Sequence, residues 1–145
     1  GVPLIVNDRL DITLAVDAAG VHLGREDLPV AVARRLLGEA KIIGASAATL
    51  AEALALEAQG ADYLGIGALY PTATKDITRS LSLADLAVIK AAVRIPVVAI
   101  GGIKASHLPG IRAAGADGVA IVSALMNRQD IFSAAQEMTT FWDSA

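Results

Sequence analysis

Three times in this 145-residue chain a helix-like segment runs out on small residues and a glycine, then passes at once into a short apolar run. The segments are Asp17-Ala18-Ala19-Gly20-Val21, Ala58-Gln59-Gly60-Ala61-Asp62 and Ala113-Ala114-Gly115-Ala116-Asp117. In each, the glycine is expected to take the left-handed position that ends a helix, with a buried strand starting directly after it. Such tight returns build right-handed parallel β-α-β crossovers, which aim the C-terminal end of every strand to one side. Two folds suit a chain written this way: a doubly wound open sheet or a parallel β/α barrel.

The apolar runs that serve as strands, such as 97–100 and 119–122, are Val/Ile-rich and bounded by Gly, Pro, Asp or Ser. They read as parallel strands buried on both faces. They also account for a hydrophobic content of 54% and a mean hydropathy of +0.56, with no run near the roughly 20 residues a bilayer span needs. Strands are expected at 2–6, 21–23, 42–45, 63–67, 97–100 and 119–122. Helical spacing follows each one: at 10–17, from Pro29 to 37, to 59, to 93, through 114 (irregular around Pro109-Gly110), and at 131–142. Thr49 with Glu52 and Ser82 with Asp85 have the spacing of N-terminal capping pairs. The length suits one domain.

No Gly-x-Gly-x-x-Gly turn opens a helix, which weighs against a dinucleotide-binding sheet. The last two strand ends, at Gly101-Gly102 and Ser123, resemble the phosphate site that barrels build there. The expected fold is therefore a parallel β/α barrel of TIM type with six of its eight units, residues 1–145 forming one partial domain. A start at Gly1, almost inside a strand, is read as truncation. The strands left at the two edges are expected to invite aggregation, pairing between chains or completion by a missing segment, so a homo-oligomer is compatible with the sequence.

A net charge of −3, with no basic block, argues against nucleic acid or a membrane surface as partner. The absence of cysteine removes thiolate and disulfide chemistry, and the lack of a signal-peptide pattern fits a cytoplasmic location. Any anion must be met locally, at the strand ends. At the end of the stretch from Gly65 to Lys75, four residues supply two hydroxyls and an ammonium, Thr72, Thr74 and Lys75, behind a turn stiffened by Pro71, a set of donors suited to phosphate. Asp8 and Asp27 follow neighbouring strands; they either converge on a hard cation such as Mg²⁺ or cap the helices that come next. Backbone N–H groups at Gly101-Gly102 and Val122-Ser123 suit a phosphate or simply permit tight turns. His22 reads as a core or strand-facing histidine and His107 as part of a helix start or surface turn; neither is given a role.

The ordered series Asn7-Asp8-Arg9, Gly20-Val21-His22-Leu23-Gly24 with Glu26-Asp27, Ile43-Gly44-Ala45-Ser46, Gly60-Ala61-Asp62-Tyr63, Tyr70-Pro71-Thr72-Ala73-Thr74-Lys75, Ile100-Gly101-Gly102-Ile103 and Gly115 through Ser123 resembles thiamine-phosphate synthase. The resemblance implies small-molecule substrates: a hydroxymethylpyrimidine pyrophosphate and a thiazole phosphate, joined with loss of pyrophosphate through a Mg²⁺-assisted dissociative step. It implies Asp8 and Asp27 as Mg²⁺ ligands and Asn7 at the pyrimidine and pyrophosphate. It also implies Ser46 at the pyrophosphate, Lys75 at the pyrophosphate or the pyrimidine, and Thr72, Thr74, Gly102, Val122 and Ser123 at the thiazole phosphate.

Three departures from the family pattern stand out. The first two β/α units, with the Gln-x-Arg-x-Lys segment of the second strand, have no counterpart here, so the piece is expected to have little activity alone. Arg25 stands where the family usually has Gln, and Ala48 where many relatives have His. A thiazole tautomerase of similar fold is the nearest rival, but its acid/base chemistry needs a titrating side chain that Ala48 lacks. A non-catalytic phosphate-binding relative or inactive fragment is the other.

Overall fold

Residues 1–71 and 80–143 are described by a computed structural model in which strand and helix alternate throughout. The elements are β1 (Ile5–Asn7), α1 (Leu10–Ala15), β2 (Gly20–Leu23), α2 (Val30–Leu37), β3 (Ile42–Ala47), α3 (Leu50–Ala58) and β4 (Tyr63–Ile66). They continue with α4 (Leu83–Ala92), β5 (Val97–Ile100), a 3₁₀ turn (Ala105–His107) leading into α5 (Leu108–Ala113), β6 (Gly118–Ala120), α6 (Ser123–Met126) and α7 (Ile131–Asp143). Among the described residues no helix is long and apolar enough to cross a membrane.

The strands are parallel, and their order in the sheet is their order in the sequence, β1 to β6. A doubly wound sheet reverses direction at a switch point. This one never does, so it curls one way as a barrel sheet does, and the barrel expected from the sequence is the fold found.

Alternation along each strand separates two faces. Val21, Leu23, Ile43, Ala45, Leu64, Ile66, Val97 and Ala99 are buried under the helices, against Val30, Ala33, Ala53, Leu86, Ile89, Leu108 and Ile111. The intervening residues His22, Ser46, Tyr63, Val98 and Ile100 line the inner, concave face and are only half-buried. Burial on both faces, as the apolar runs implied, thus holds for the helix side alone.

The helix starts follow local chemistry. Thr49 Oγ1 accepts the Glu52 N–H, while the Glu52 carboxylate reaches back to the Ala48 N–H at 2.7 Å. Ser82 and Asp85 cap each other reciprocally at the start of α4. Gly60 and Gly115 take positive φ values of 94° and 91° as expected. Gly20 does not: it already belongs to β2, and the left-handed residue there is Asp17 at φ 51°. The reason is steric, since a Cβ on Gly20 would strike the Ile42 carbonyl of the adjoining strand.

In the two repeats that end Gly-Ala-Asp, the aspartate ties one strand to the last. Asp62 accepts the Ile43 N–H and pairs with Arg34, which also donates to the Gly60 carbonyl. Asp117 accepts the Val97 N–H and pairs with Lys90. Both lie at the N-terminal rim of the sheet and fix strand register there, leaving the opposite rim free for other work.

Candidate active site

Asn7 is the last residue of β1 and lies exposed on the C-terminal rim, opposite His22 in register. Asp8 turns the chain out of the strand at φ 64°, a left-handed conformation that Asp tolerates better than most residues, while its N–H remains bonded to the His22 carbonyl at 2.8 Å. On the next strand end, Asp27 accepts the Gly24 N–H at 2.6 Å. It does not cap α2, whose N-cap is Pro29. The two carboxylates face one point: the position a Cβ would occupy on Gly24 lies 2.9 Å from Asp27 Oδ2 and 4.0 Å from Asp8 Oδ1. Among the described residues no group of three or more His, Cys, Asp or Glu side chains is placed to hold a metal. A hard cation here would rest on this pair of carboxylates plus oxygens from a ligand, a set that suits Mg²⁺.

Ser46 lies inside β3 rather than at its end, because the strand runs on to Ala47, and its side chain is on the inner face. Its Oγ is 2.9 Å from His22 Nε2, and His22 Nδ1 is 2.9 Å from the Tyr63 hydroxyl. The sequence reading left His22 without a role and passed over Tyr63. A signal was present: Gly44 and Gly65 occupy the inner-face positions beside them, and glycine there marks a close approach.

A cleft of about 320 Å³ is lined by Gly24, Arg25, Asp27, Ser46 and Glu52. Arg25 Nε lies 3.4 Å from a Glu52 carboxylate oxygen. Ala48 offers only a methyl group and an N–H committed to Glu52.

On the far side of the rim, Gly101 and Gly102 follow β5 with φ 98° and 62°. A Cβ on Gly102 would strike the carbonyls of Tyr70 and Pro71, and the N–H groups of Leu69 and Tyr70 bond to Ile100 and Gly101. The chain rejoins at Leu81, whose N–H donates to Ala68 at 2.8 Å. Thr72, Thr74 and Lys75 lie outside the described residues. Tyr70 is further held by a ring stack on His107, centroids 3.7 Å apart. Burial, with Lys104 nearby, lowers the His107 pKa and favours its neutral form. Val122 is the N-cap of α6 and Ser123 its first residue; both are exposed beyond the end of β6.

A one-way parallel sheet with helices outside and its polar residues gathered at the C-terminal strand ends defines a β/α-barrel enzyme. A sequence profile described as thiamine monophosphate synthase matches residues 1–125, and the chain belongs to that family of transferases in thiamine biosynthesis. It is 45% identical over 142 residues to the thiamine-phosphate synthase of Clostridium tetani, covering 98% of this chain and 68% of that one. The thiamine phosphate pyrophosphorylase structure from Pyrococcus furiosus superposes with a TM-score of 0.89 at 44% identity, over 97% of this chain and 67% of that one. A 3-hexulose-6-phosphate synthase structure, 19% identical with a TM-score of 0.68, covers 91% of this chain and 66% of that one, and shares the fold.

Proposed function

We propose that the strand-end residues of this chain act together in thiamine phosphate synthesis by assisting ionisation of the pyrimidine's C–O bond. The observation that best supports this is the approach of Asp8 and Asp27 to one point over Gly24, beside the strand that carries Ser46. Asp8 and Asp27 would hold a Mg²⁺, which when bound offsets charge on the departing pyrophosphate. Asn7 contacts the pyrimidine and the pyrophosphate next to it. Ser46 donates its hydroxyl proton to a pyrophosphate oxygen, and Lys75 adds a positive charge on the same group.

Thr72 and Thr74, with N–H groups around Gly102, Val122 and Ser123, bind the thiazole phosphate. Holding both partners turns an encounter into a short, directed collapse. The C–O bond breaks with its electron pair leaving on pyrophosphate, and the lone pair of the thiazole nitrogen forms the new C–N bond. The protein makes no covalent bond of its own; its contribution is position and electrostatics. The tautomerase alternative finds no support at Ala48.

The test is a thiamine-phosphate assay with both substrates, with and without Mg²⁺, on the protein and on its Asp27→Asn and Ser46→Ala variants. Expected is Mg²⁺-dependent product, small in amount for this chain alone and reduced further, by on the order of 10²-fold, in either variant. Product formation indifferent to both Mg²⁺ removal and Asp27→Asn would overturn the assignment.

A further inference from the structure

Ser46, His22 and Tyr63 stand on three consecutive strands and form one hydrogen-bonded chain across the inner face of the sheet. Its two links are both 2.9 Å, from the Tyr63 hydroxyl to His22 Nδ1 and from His22 Nε2 to Ser46 Oγ. The floor beneath it is glycine. His22, Gly44 and Tyr63 share one register row, so the imidazole and phenol meet across a point of β3 that carries no side chain. A Cβ on Gly44 would fall on the Tyr63 ring, and one on Gly65 would sit 3.0 Å from His22 Cε1. The site therefore has room for this arrangement and little else.

A neutral imidazole carries one proton, and where it sits decides what Ser46 can do. With the proton on Nδ1, the Ser46 hydroxyl must donate inward to Nε2 and can offer an outside ligand only lone pairs. With the proton on Nε2, the ring donates to Ser46 Oγ, and the serine proton is released to point outward at an anion. Tyr63 selects between them: a phenol that donates to Nδ1 leaves the proton on Nε2. Burial pushes the Tyr63 hydroxyl above its ordinary pKa and keeps it protonated as that donor.

The geometry points to Tyr63 and His22 as positioning residues that align the hydrogen-bond chain from Tyr63 through His22 to Ser46, so that Ser46 presents its proton to a phosphate oxygen of the pyrophosphate. This rests on the reading that Ser46 meets the pyrophosphate. In the unliganded and liganded protein alike, the direction of the chain is set by Tyr63, the member farthest from the anion.

Long-range ¹H–¹⁵N correlation on ¹⁵N-histidine-labelled protein at a pH of about 8, well above an ordinary imidazole pKa, reports which ring nitrogen carries the proton. The sequence holds only two histidines, and the His22→Gln variant assigns the spectrum. The expected result is an Nε2–H tautomer for His22 that shifts toward Nδ1–H in Tyr63→Phe. In parallel, calorimetric titration with inorganic pyrophosphate and Mg²⁺ should show affinity lowered about 10-fold in Ser46→Ala and several-fold in Tyr63→Phe. The double variant should be no weaker than Ser46→Ala alone, since Tyr63 acts through the serine.

An Nδ1–H tautomer in the native protein, or additive losses in the double variant, overturns the inference while leaving Ser46 as a pyrophosphate ligand. Unchanged pyrophosphate affinity in Ser46→Ala removes the reading of Ser46 itself, and the inference with it.

Discussion

Gly24 is defined by what it leaves out. Its missing side chain is the space into which Asp27 and Asp8 turn their oxygens, and an alanine methyl placed there would press on Asp27 Oδ2 at 2.9 Å. Gly24→Ala is therefore expected to raise the Mg²⁺ concentration needed for half-maximal pyrophosphate binding by about 10-fold, with the urea unfolding midpoint little changed. An unchanged Mg²⁺ dependence would show that the carboxylates do not need that space. The two aspartates themselves were legible as strand-end residues, because each follows an apolar run. Their convergence was one of two readings the sequence allowed, and choosing between them depends on the left-handed turn at Asp8 and on Asp27 bonding to Gly24 instead of capping α2. Tyr63 escaped notice because its hydroxyl matters only once register has set it across Gly44 from His22.

At the scale of elements, the helix starts were legible because capping is local chemistry, confined to four residues. Ser82→Ala removes the reciprocal bonds with Asp85 and should destabilise the fold by about 1 kcal/mol in urea titration. The strand starts carry a less local message. The Gly-Ala-Asp repeats announced the glycine turns, but the aspartates' partners lie 19 and 20 residues away in sequence, where no short pattern reaches. Asp117 shows the consequence for pH. Partial burial pushes its carboxyl up, but the Lys90 ammonium and the Val97 N–H outweigh that and hold it below the ordinary value. A carboxyl depressed in the folded state contributes stability above its unfolded pKa of about 4, and that contribution is lost as pH falls through the lower folded value. The stability gap between the native protein and Asp117→Asn should thus be widest near neutrality and shrink below pH of about 4. A gap constant with pH would mean that the ion pair is silent, as exposed pairs often are.

Taken whole, the molecule presents a helix-covered side and a concave side whose residues are half-open. Among the described residues β1 and β6 each pair on one flank only, and Ile12 and Leu14 on α1 and Val16 just after it are exposed. Unpaired strand flanks beside apolar surface favour contact with another chain. Sedimentation equilibrium should show an average mass that climbs above 14.8 kDa with concentration, and Ile5→Lys on β1 should reduce the climb. A constant 14.8 kDa species at every concentration would contradict this. The sheet's strict sequential order bears on how the chain acquires its shape during synthesis. From β2 to β6 each strand finds its partner in the unit made just before it, so loop closure between neighbours stays short. Pairing within this stretch can keep the pace of translation, one unit docking on the last. A ribosome paused after any of these β/α units would hold neighbouring strands already in register.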